Sequence, residues 1–311
     1  MNKRIAYFFI ATAAFFWGII GVFVSFLYEA GFNPTQVVAL RVIIAAIILI
    51  IYIYMKNKHL FKIKLADCKY FVGTGIISIV FFNWCFFNAI QETSISVAAI
   101  LLYTAPAFVT IFSRIFFKEP ITAKKLTALL LTFFGCAFVV GILPKINGSF
   151  STYGIILGLG SGLFYGLYSI FGKFALAKYD SLTVTVYTFI FAAIAIIPFI
   201  GLPTAESLSL LTNFKVLFSG ISLGVFSTVL AFILYTKGLT AVETSNASII
   251  ATLEPVVAAV SSFLIFQEVL NGWQYLGIIM VITAVMIIQE WPKASMKNKH
   301  LQENAEQPLK D

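Results

Sequence analysis

The chain has 311 residues, of which 60% are hydrophobic, 16% aromatic and only 11% charged, with a mean hydropathy of +0.97. Soluble domains carry roughly 25% charged residues, so this composition excludes a soluble globular protein, a disordered chain and a nucleic-acid binder. The formal net charge of +8 is informative through where the positive residues fall, since lysine and arginine mark the cytoplasmic loops of membrane proteins.

A hydrocarbon core of about 30 Å needs about 20 apolar residues per helix. On that scale the sequence predicts ten spans, at 5–29, 34–55, 68–90, 93–117, 122–142, 152–177, 181–202, 214–240, 243–266 and 273–291. The first follows Lys3 and Arg4, and its apolar run to Leu27 outlasts the roughly 7 to 15 residues of a secretory signal core, so it reads as a retained helix. The second carries Arg41, about two turns and roughly 10 Å from its start. The third holds Asn83, Trp84 and Asn88; the fourth holds Tyr103 and Pro106; the sixth carries Gly154, Gly158, Gly162 and Gly166 at every fourth position. Small residues at that spacing predict a close interhelical seam, within a monomer or across a homodimer. The ninth contains Glu254 and Pro255.

Counting lysine and arginine in alternate connections, one side collects Lys3, Arg4, the cluster from Lys56 to Lys69, Arg114, Lys118, Lys124, Lys125, Lys173, Lys178, Lys237 and the lysines from Lys293 onward. The opposite side has Lys145 and Lys215. This asymmetry predicts that both termini are cytoplasmic, and it agrees with an even number of spans. The residues from 293 to 311 read as a polar cytoplasmic tail.

The sequence also repeats itself. Residues 89–139 align without gaps to 238–288 at an offset of 149 residues, placing Ser96 on Ser245, Pro106 on Pro255, Ser113 on Ser262, Phe117 on Phe266 and Glu119 on Glu268. Phe16-Trp17-Gly18 faces Phe164-Tyr165-Gly166 in the same way. A unit of five spans is odd in number, so the second copy enters the membrane in the opposite direction. The predicted fold is therefore an all-α membrane protein of ten transmembrane helices in two inverted five-helix repeats, 1–143 and 152–292, joined near Pro144 and Gly148. Such repeats are a recurring plan of secondary transporters, which hold the substrate at the repeat interface near the midplane.

The run Thr252-Leu253-Glu254-Pro255-Val256-Val257 with Phe266-Gln267-Glu268, and the companion Tyr103-Thr104-Ala105-Pro106 with Phe117-Lys118-Glu119-Pro120, resemble the paired signatures of the drug/metabolite transporter superfamily, in particular its ten-helix EamA-type members. The resemblance covers essentially the whole chain. It implies a cell-membrane carrier of small organic metabolites working by alternating access, with amino acids or related compounds moving outward as the leading expectation and a multidrug exporter of lipophilic cations as the alternative. The first repeat departs from the pattern in having Ala105 where the second has Glu254, which weakens any scheme built on a symmetric carboxylate pair.

Several residues are candidates to carry transport. Pro106 and Pro255 interrupt helix hydrogen bonding and predict kinks that line a pathway or serve packing alone. An ionisable group at the depth of Glu254 is costly in lipid, so it reads either as a proton site, as the counter-charge for a substrate amine, or as a structural group satisfying backbone opened by Pro255. Arg41 can attract a substrate carboxylate or extend toward the headgroups. Trp17, Asn83, Tyr103, Tyr165 and Tyr235 supply aromatic and amide surface suited to an organic solute or an ammonium. Glu119 and Glu268, one at each membrane face, read as gating or structural groups able to cap a neighbouring helix N-terminus.

No catalytic or metal set is expected. His59 and His300 both fall outside the spans, the odd set Cys68, Cys85 and Cys136 is scattered, and there is no HExxH, Walker A loop, GxSxG elbow or TVGYG filter, which argues against an enzyme, an ATPase and a potassium-type channel. The expected partners are a small-molecule substrate and the lipid bilayer, with proton coupling through Glu254 as a hypothesis; no cofactor and no nucleic acid are implied. A membrane interaction protein without transport is the remaining alternative.

Overall fold

The computed structural model describes residues 1–144, 151–200 and 213–289. Most of the predicted joint between the halves, and the whole predicted tail from 293 to 311, lie outside them. The described residues form helical rods joined by short turns, with no strand among them. In chain order these are α1 (Lys3–Glu29), α2 (Pro34–Lys56), α3 (Leu65–Glu92), α4 (Ile95–Phe117), α5 (Ala123–Val139), α6 (Thr152–Leu176), α7 (Ser181–Ile200), α8 (Phe214–Leu239), α9 (Thr244–Phe266) and α10 (Gly272–Ile288). Eight of them are long and apolar enough to cross a membrane; α5 and α10 are shorter, at 17 residues each.

Sequence chemistry sets the ends. Asn33 and Asn271 open α2 and α10 with capping boxes closed by Gln36 and Gln274, and Ser94, Thr122 and Ser151 accept from the first turns of α4, α5 and α6. Each such cap satisfies an amide that the helix itself leaves open. α4 and α9 stop where Lys118 and Gln267 turn left-handed, at φ of 57° and 58°.

Two kinds of interruption inside rods recur in both halves, while a third, at Ile19 of α1, has no counterpart in α6. α4 breaks between Leu102 and Ala105, and α9 between Ala251 and Leu253, each just ahead of its proline. The kinks expected at Pro106 and Pro255 are therefore full breaks in the helical run. In α3 and α8 the backbone widens to π-helix over Val72–Phe81 and Val225–Leu230. Both π segments end at positions 149 residues apart, as do the starts and stops of α4 and α9 and of α5 and α10. The sequence offset is thus reproduced helix by helix.

Packing follows the same exchange. α1 lies on α8 and α9, while its repeat counterpart α6 lies on α3 and α4; α2 packs on α7, and α5 packs on α10. Halves related this way cannot separate into independent bundles, because each first helix is seated in the other half.

Between helices in lipid the hydrophobic effect gives little, so close approach and hydrogen bonds must hold the interfaces. The glycine stripe of α6 meets that need within one chain: a Cβ on Gly162 would lie 2.8 Å from the Leu101 carbonyl oxygen and 3.0 Å from that of Leu102. Gly18 and Gly166 are a repeat-related pair, and a Cβ on them would lie 2.7 Å from the Glu254 carbonyl oxygen and 3.2 Å from that of Ala105. Glycine is what lets α1 and α6 reach the two helix breaks. The outward surface is the inverse of a soluble protein, with Phe8, Ile51, Trp84, Ile115, Ile156, Phe199 and Met286 exposed and Thr74, Ser161, Thr185 and Thr188 fully buried.

Replacing Gly162 with valine should therefore force α6 off the α4 backbone, at a cost of about 1–3 kcal/mol by the usual scale of overpacking. Gly160 is the control, since an alanine Cβ there would meet only Cys85 Sγ at 3.4 Å and the Phe164 ring at 3.9 Å. Thermal unfolding in detergent should show a lowered midpoint for Gly162→Val and an unchanged one for Gly160→Ala.

Candidate functional site

α1, α2, α3, α4, α6, α8 and α9 surround a cavity of about 530 Å³. All seven residues singled out from the sequence as substrate contacts, Trp17, Arg41, Asn83, Tyr103, Tyr165, Tyr235 and Glu254, line it. They come from seven rods of both halves, one residue from each. Trp17 enters at the end of the first segment of α1, where the helix resets at Ile19, and its ring lies 5.1 Å from Tyr235, 5.2 Å from Phe232 and 6.3 Å from Tyr165. Phe82, from α3, closes on the other side of Tyr165 at 5.3 Å.

Glu254 enters from the first turn of α9 after its break, the position where freed amides and the helix N-terminus favour negative charge. Its Oε2 accepts from the Tyr165 hydroxyl at 3.2 Å. Arg41 comes from α2 and donates through Nε to Thr228 of the π segment of α8 at 3.2 Å. The same depth in α7, seven residues from its start, is Thr188, whose hydroxyl bonds Thr74 of the π segment of α3 at 2.7 Å. Each is a polar bridge from a neighbouring rod to a π segment, and the one from Arg41 is cationic and borders the cavity. Asn83 donates through its side-chain amide to the Ile79 carbonyl at 2.8 Å.

The cavity is open at one end and closed at the other. Its lining reaches Tyr28, Pro34, Gln91 and Ile95, at the helix ends that flank the α1–α2 and α3–α4 turns; Gln91 is exposed and Ile95 is 71% exposed. At the other end, Ser169 bonds the Tyr235 hydroxyl and Tyr168 bonds Thr236, both at 2.6 Å. Below these lies a separate polar pocket formed by Lys3, Phe117, Glu119, Lys173 and the 240–246 stretch. The N-terminus thus shares the closed face with the α4–α5 and α8–α9 connections.

Glu119 ties the end of α4 to the start of α9 on that face. Its carboxylate accepts from the Thr244 and Ser245 amides at 2.6 and 3.1 Å and from the Ser245 hydroxyl at 2.6 Å, and Lys125 sits between it and Glu243, 2.7 Å from the latter. Hydrogen bonds to a charged group contribute about 1.5–3 kcal/mol each, so this is a strong clamp between α4 and the start of α9. Glu268 does nothing comparable: it is exposed and accepts from Ser262 of its own rod at 2.6 Å.

Other residues fall elsewhere. Lys173, read from sequence only as a topological charge, caps the end of α8 by donating to the Leu239 and Val242 carbonyls at 2.8 and 2.9 Å. Trp84 faces outward at 51% exposure, and Tyr187 bonds the Phe61 carbonyl in the α2–α3 connection. Sequence reasoning missed Phe82, Ser169 and Phe232 as wall residues and missed the π segments. A signal for the latter exists in the hydroxyls that reach five residues back, Ser78 to Gly73 and Thr228 to Leu223, but it is visible only once the backbone is known.

Comparison with known proteins agrees with this architecture. The EamA-like transporter family matches twice, over residues 4–141 and 152–289. An uncharacterized transporter of Archaeoglobus fulgidus is 28% identical over 283 residues, covering 90% of this chain and 96% of its own. The threonine/homoserine exporter RhtA of Salmonella typhimurium is 28% identical over 204 residues, 66% of this chain and 65% of its own. One crystal structure superposes with a TM-score of 0.75 at 14% identity, covering 97% of this chain and 100% of its own, a likeness of fold alone. With two matches that together span nearly the whole chain, and with relatives named as transporters, this multi-pass membrane protein belongs to the EamA-like transporter family.

Proposed function

We propose that the chain is a secondary carrier of the cytoplasmic membrane that exports amino acids or closely related metabolites by alternating access. The observation that carries this reading is the pairing of Arg41 and Glu254, opposite charges in one aromatic-walled cavity at membrane depth. Ions there are costly unless they meet a partner, and a zwitterion is the solute that meets both: its carboxylate at Arg41, its ammonium at Glu254 and over the rings of Trp17 and Tyr235. The name of the relative that exports threonine and homoserine supports the same class. The cavity volume suits one small organic molecule rather than a polymer.

In this reading all ten rods cross the bilayer, the two halves are inverted copies, and both termini are cytoplasmic. Support comes from the gathering of Lys3, Lys125 and Lys173 around one face, where positive residues are retained, and from the exchange of repeat-related packing partners. The cavity then opens outward and its closed end is cytoplasmic. The chain functions as a monomer or homodimer; the glycine seam of α6 is used inside the monomer and contributes no dimer face.

A lipophilic cation is the second reading, because a carboxylate beside Trp17, Tyr165 and Tyr235 would also hold an amine without a carboxylate. Arg41 discriminates between them. In proteoliposomes preloaded with unlabelled amino acids, counterflow should bring in labelled ones above the level of empty liposomes. Replacing Arg41 with glutamine should raise the KM by roughly tenfold or more, the loss of one charge-assisted hydrogen bond. If a cationic dye competes instead, and its competition survives Arg41→Gln but not Glu254→Gln, the cation reading replaces the amino-acid one.

Proton coupling belongs to Glu254 in this proposal. A carboxylate that alternates between binding a proton and binding an ammonium ties the two fluxes together. Glu254→Gln should leave exchange measurable and remove its response to an imposed pH gradient; an unchanged response in that variant would sink the coupling role.

A further inference from the structure

We infer that Glu119 and Glu268 are two alternating latches, each with two partners that it exchanges as the carrier changes face: a serine six residues earlier on its own rod, and the amino end of the opposite half's broken helix. The inference rests on the alternating-access reading above and adds the residues that set its two end states. In the structure the two carboxylates occupy opposite choices. Glu119 is latched on the Thr244 and Ser245 amides and the Ser245 hydroxyl, while the hydroxyl of its own-rod serine, Ser113, is fully buried with no hydrogen-bond partner. Glu268 is parked on its own-rod serine, Ser262, while the amino end of α4 stands beside the open cavity mouth with Ile95 71% exposed.

The repeat makes these two halves of one device. At the offset of 149, Glu119, Ser113 and the Thr244–Ser245 pair map onto Glu268, Ser262 and the Ile95–Ser96 pair. Ser96 carries the hydroxyl equivalent to that of Ser245 and presently donates it to the Val140 carbonyl at 2.9 Å. When the closed face opens, Glu119 leaves α9 and takes up Ser113; when the open face closes, Glu268 leaves Ser262 for the amino end of α4. A buried serine hydroxyl without a partner is unfavourable, and this one has a use only in the other state. The left-handed residues before each carboxylate, Lys118 and Gln267, turn it back toward either partner.

The two latches are unequal. Lys125 stands beside Glu119 and pairs with Glu243; the positions equivalent to these are Gln274 and Ser94, both uncharged. The latch on the closed face is therefore the stronger, and the carrier without substrate rests open on the other side.

The test reads the two faces directly and needs no substrate. With Cys68, Cys85 and Cys136 replaced by alanine, maleimide labelling rates are measured at Gln91→Cys, on the open mouth, and at Asn246→Cys, in the closed pocket. Glu119→Gln should raise labelling at position 246 by about tenfold or more and lower it at position 91, since hydrogen bonds to a charged acceptor are at stake. Glu268→Gln should lower labelling at position 246. Ser113→Ala should lower it too, an effect that a purely structural role for Glu119 would not produce, because Ser113 Oγ touches no partner in the present state. Unchanged rates in Glu119→Gln, shifts of the same sign in Glu119→Gln and Glu268→Gln, or a silent Ser113→Ala overturn the latch even if amino-acid flux is demonstrated. If position 246 never reacts in the parent protein while an unfolded control does, alternating access itself fails, and the latch fails with it.

Discussion

In hydrocarbon, a backbone amide or carbonyl without a partner costs several kcal/mol, and the two helix breaks ahead of Pro106 and Pro255 put just such groups at membrane depth. Much else in the fold answers that constraint. Thr104 and Thr252, one at each break, turn their hydroxyls back onto the Leu101 and Ile249 carbonyls at 2.6 and 2.5 Å, and Gly166 and Gly18 bring α6 and α1 into contact with the carbonyls of Ala105 and Glu254. Each break is therefore shielded on one side by a glycine of the opposite half and opens on the other side into the cavity. The exchange of helices between halves is the means of shielding, and the cavity is what remains where shielding stops.

The repeat supplies the frame, and its departures supply the chemistry. Where the frame repeats, the residues are apolar or weakly polar: glycine against carbonyl, and serine at the amino end of a broken helix. Where it departs, a charge appears on one side only: Glu254 opposite Ala105, Arg41 opposite Ile190, Lys125 opposite Gln274. Two of these point into the central cavity and the third into the clamp at Glu119. A two-fold object with two identical faces would have no preferred direction and no preferred resting state. Three departures are enough to make the charge distribution of the two-fold frame asymmetric.

Much of this was legible in the sequence, for reasons that can be named. Lipid imposes helix length and apolarity, so the rods followed from composition and run length, and the prolines and the offset of 149 residues marked the breaks. The seven residues that share the cavity lining stood out because ionisable, amide and repeat-related aromatic groups are rare at such depth. The π segments of α3 and α8 were not legible, since i to i+5 bonding leaves no periodic trace in a run that is apolar on all sides. Phe82 and Phe232 escaped for a related reason: in a chain with 33 phenylalanines, one that lines a cavity has the same sequence context as one that faces lipid. At α5 the start agrees to one residue and the stop comes three residues early, because Gly141, at a φ of +76°, ends the helix inside an apolar stretch that hydropathy alone carries to residue 142.

The cost of charge in lipid also explains why so few residues can control so large a molecule. A soluble protein surrounds its site with many charges, and each is diluted by water and salt. Here the low-dielectric surroundings make every ion strong and every unpaired ion expensive, so the chain keeps only those that can always find a partner. Glu119 has the amides of α9 and the neighbouring Lys125; Glu254 has Tyr165; Arg41 has Thr228. The last two hydrogen-bond partners are neutral, the two ions also feel each other's charge, and each has hydrogen-bonding capacity beyond its one such bond. A solute that completes both would be drawn in by the incompleteness of the site, and one that completes only one would leave the other charge stranded. Selectivity in such a site comes from the number of ions left half-satisfied rather than from the shape of the aromatic wall.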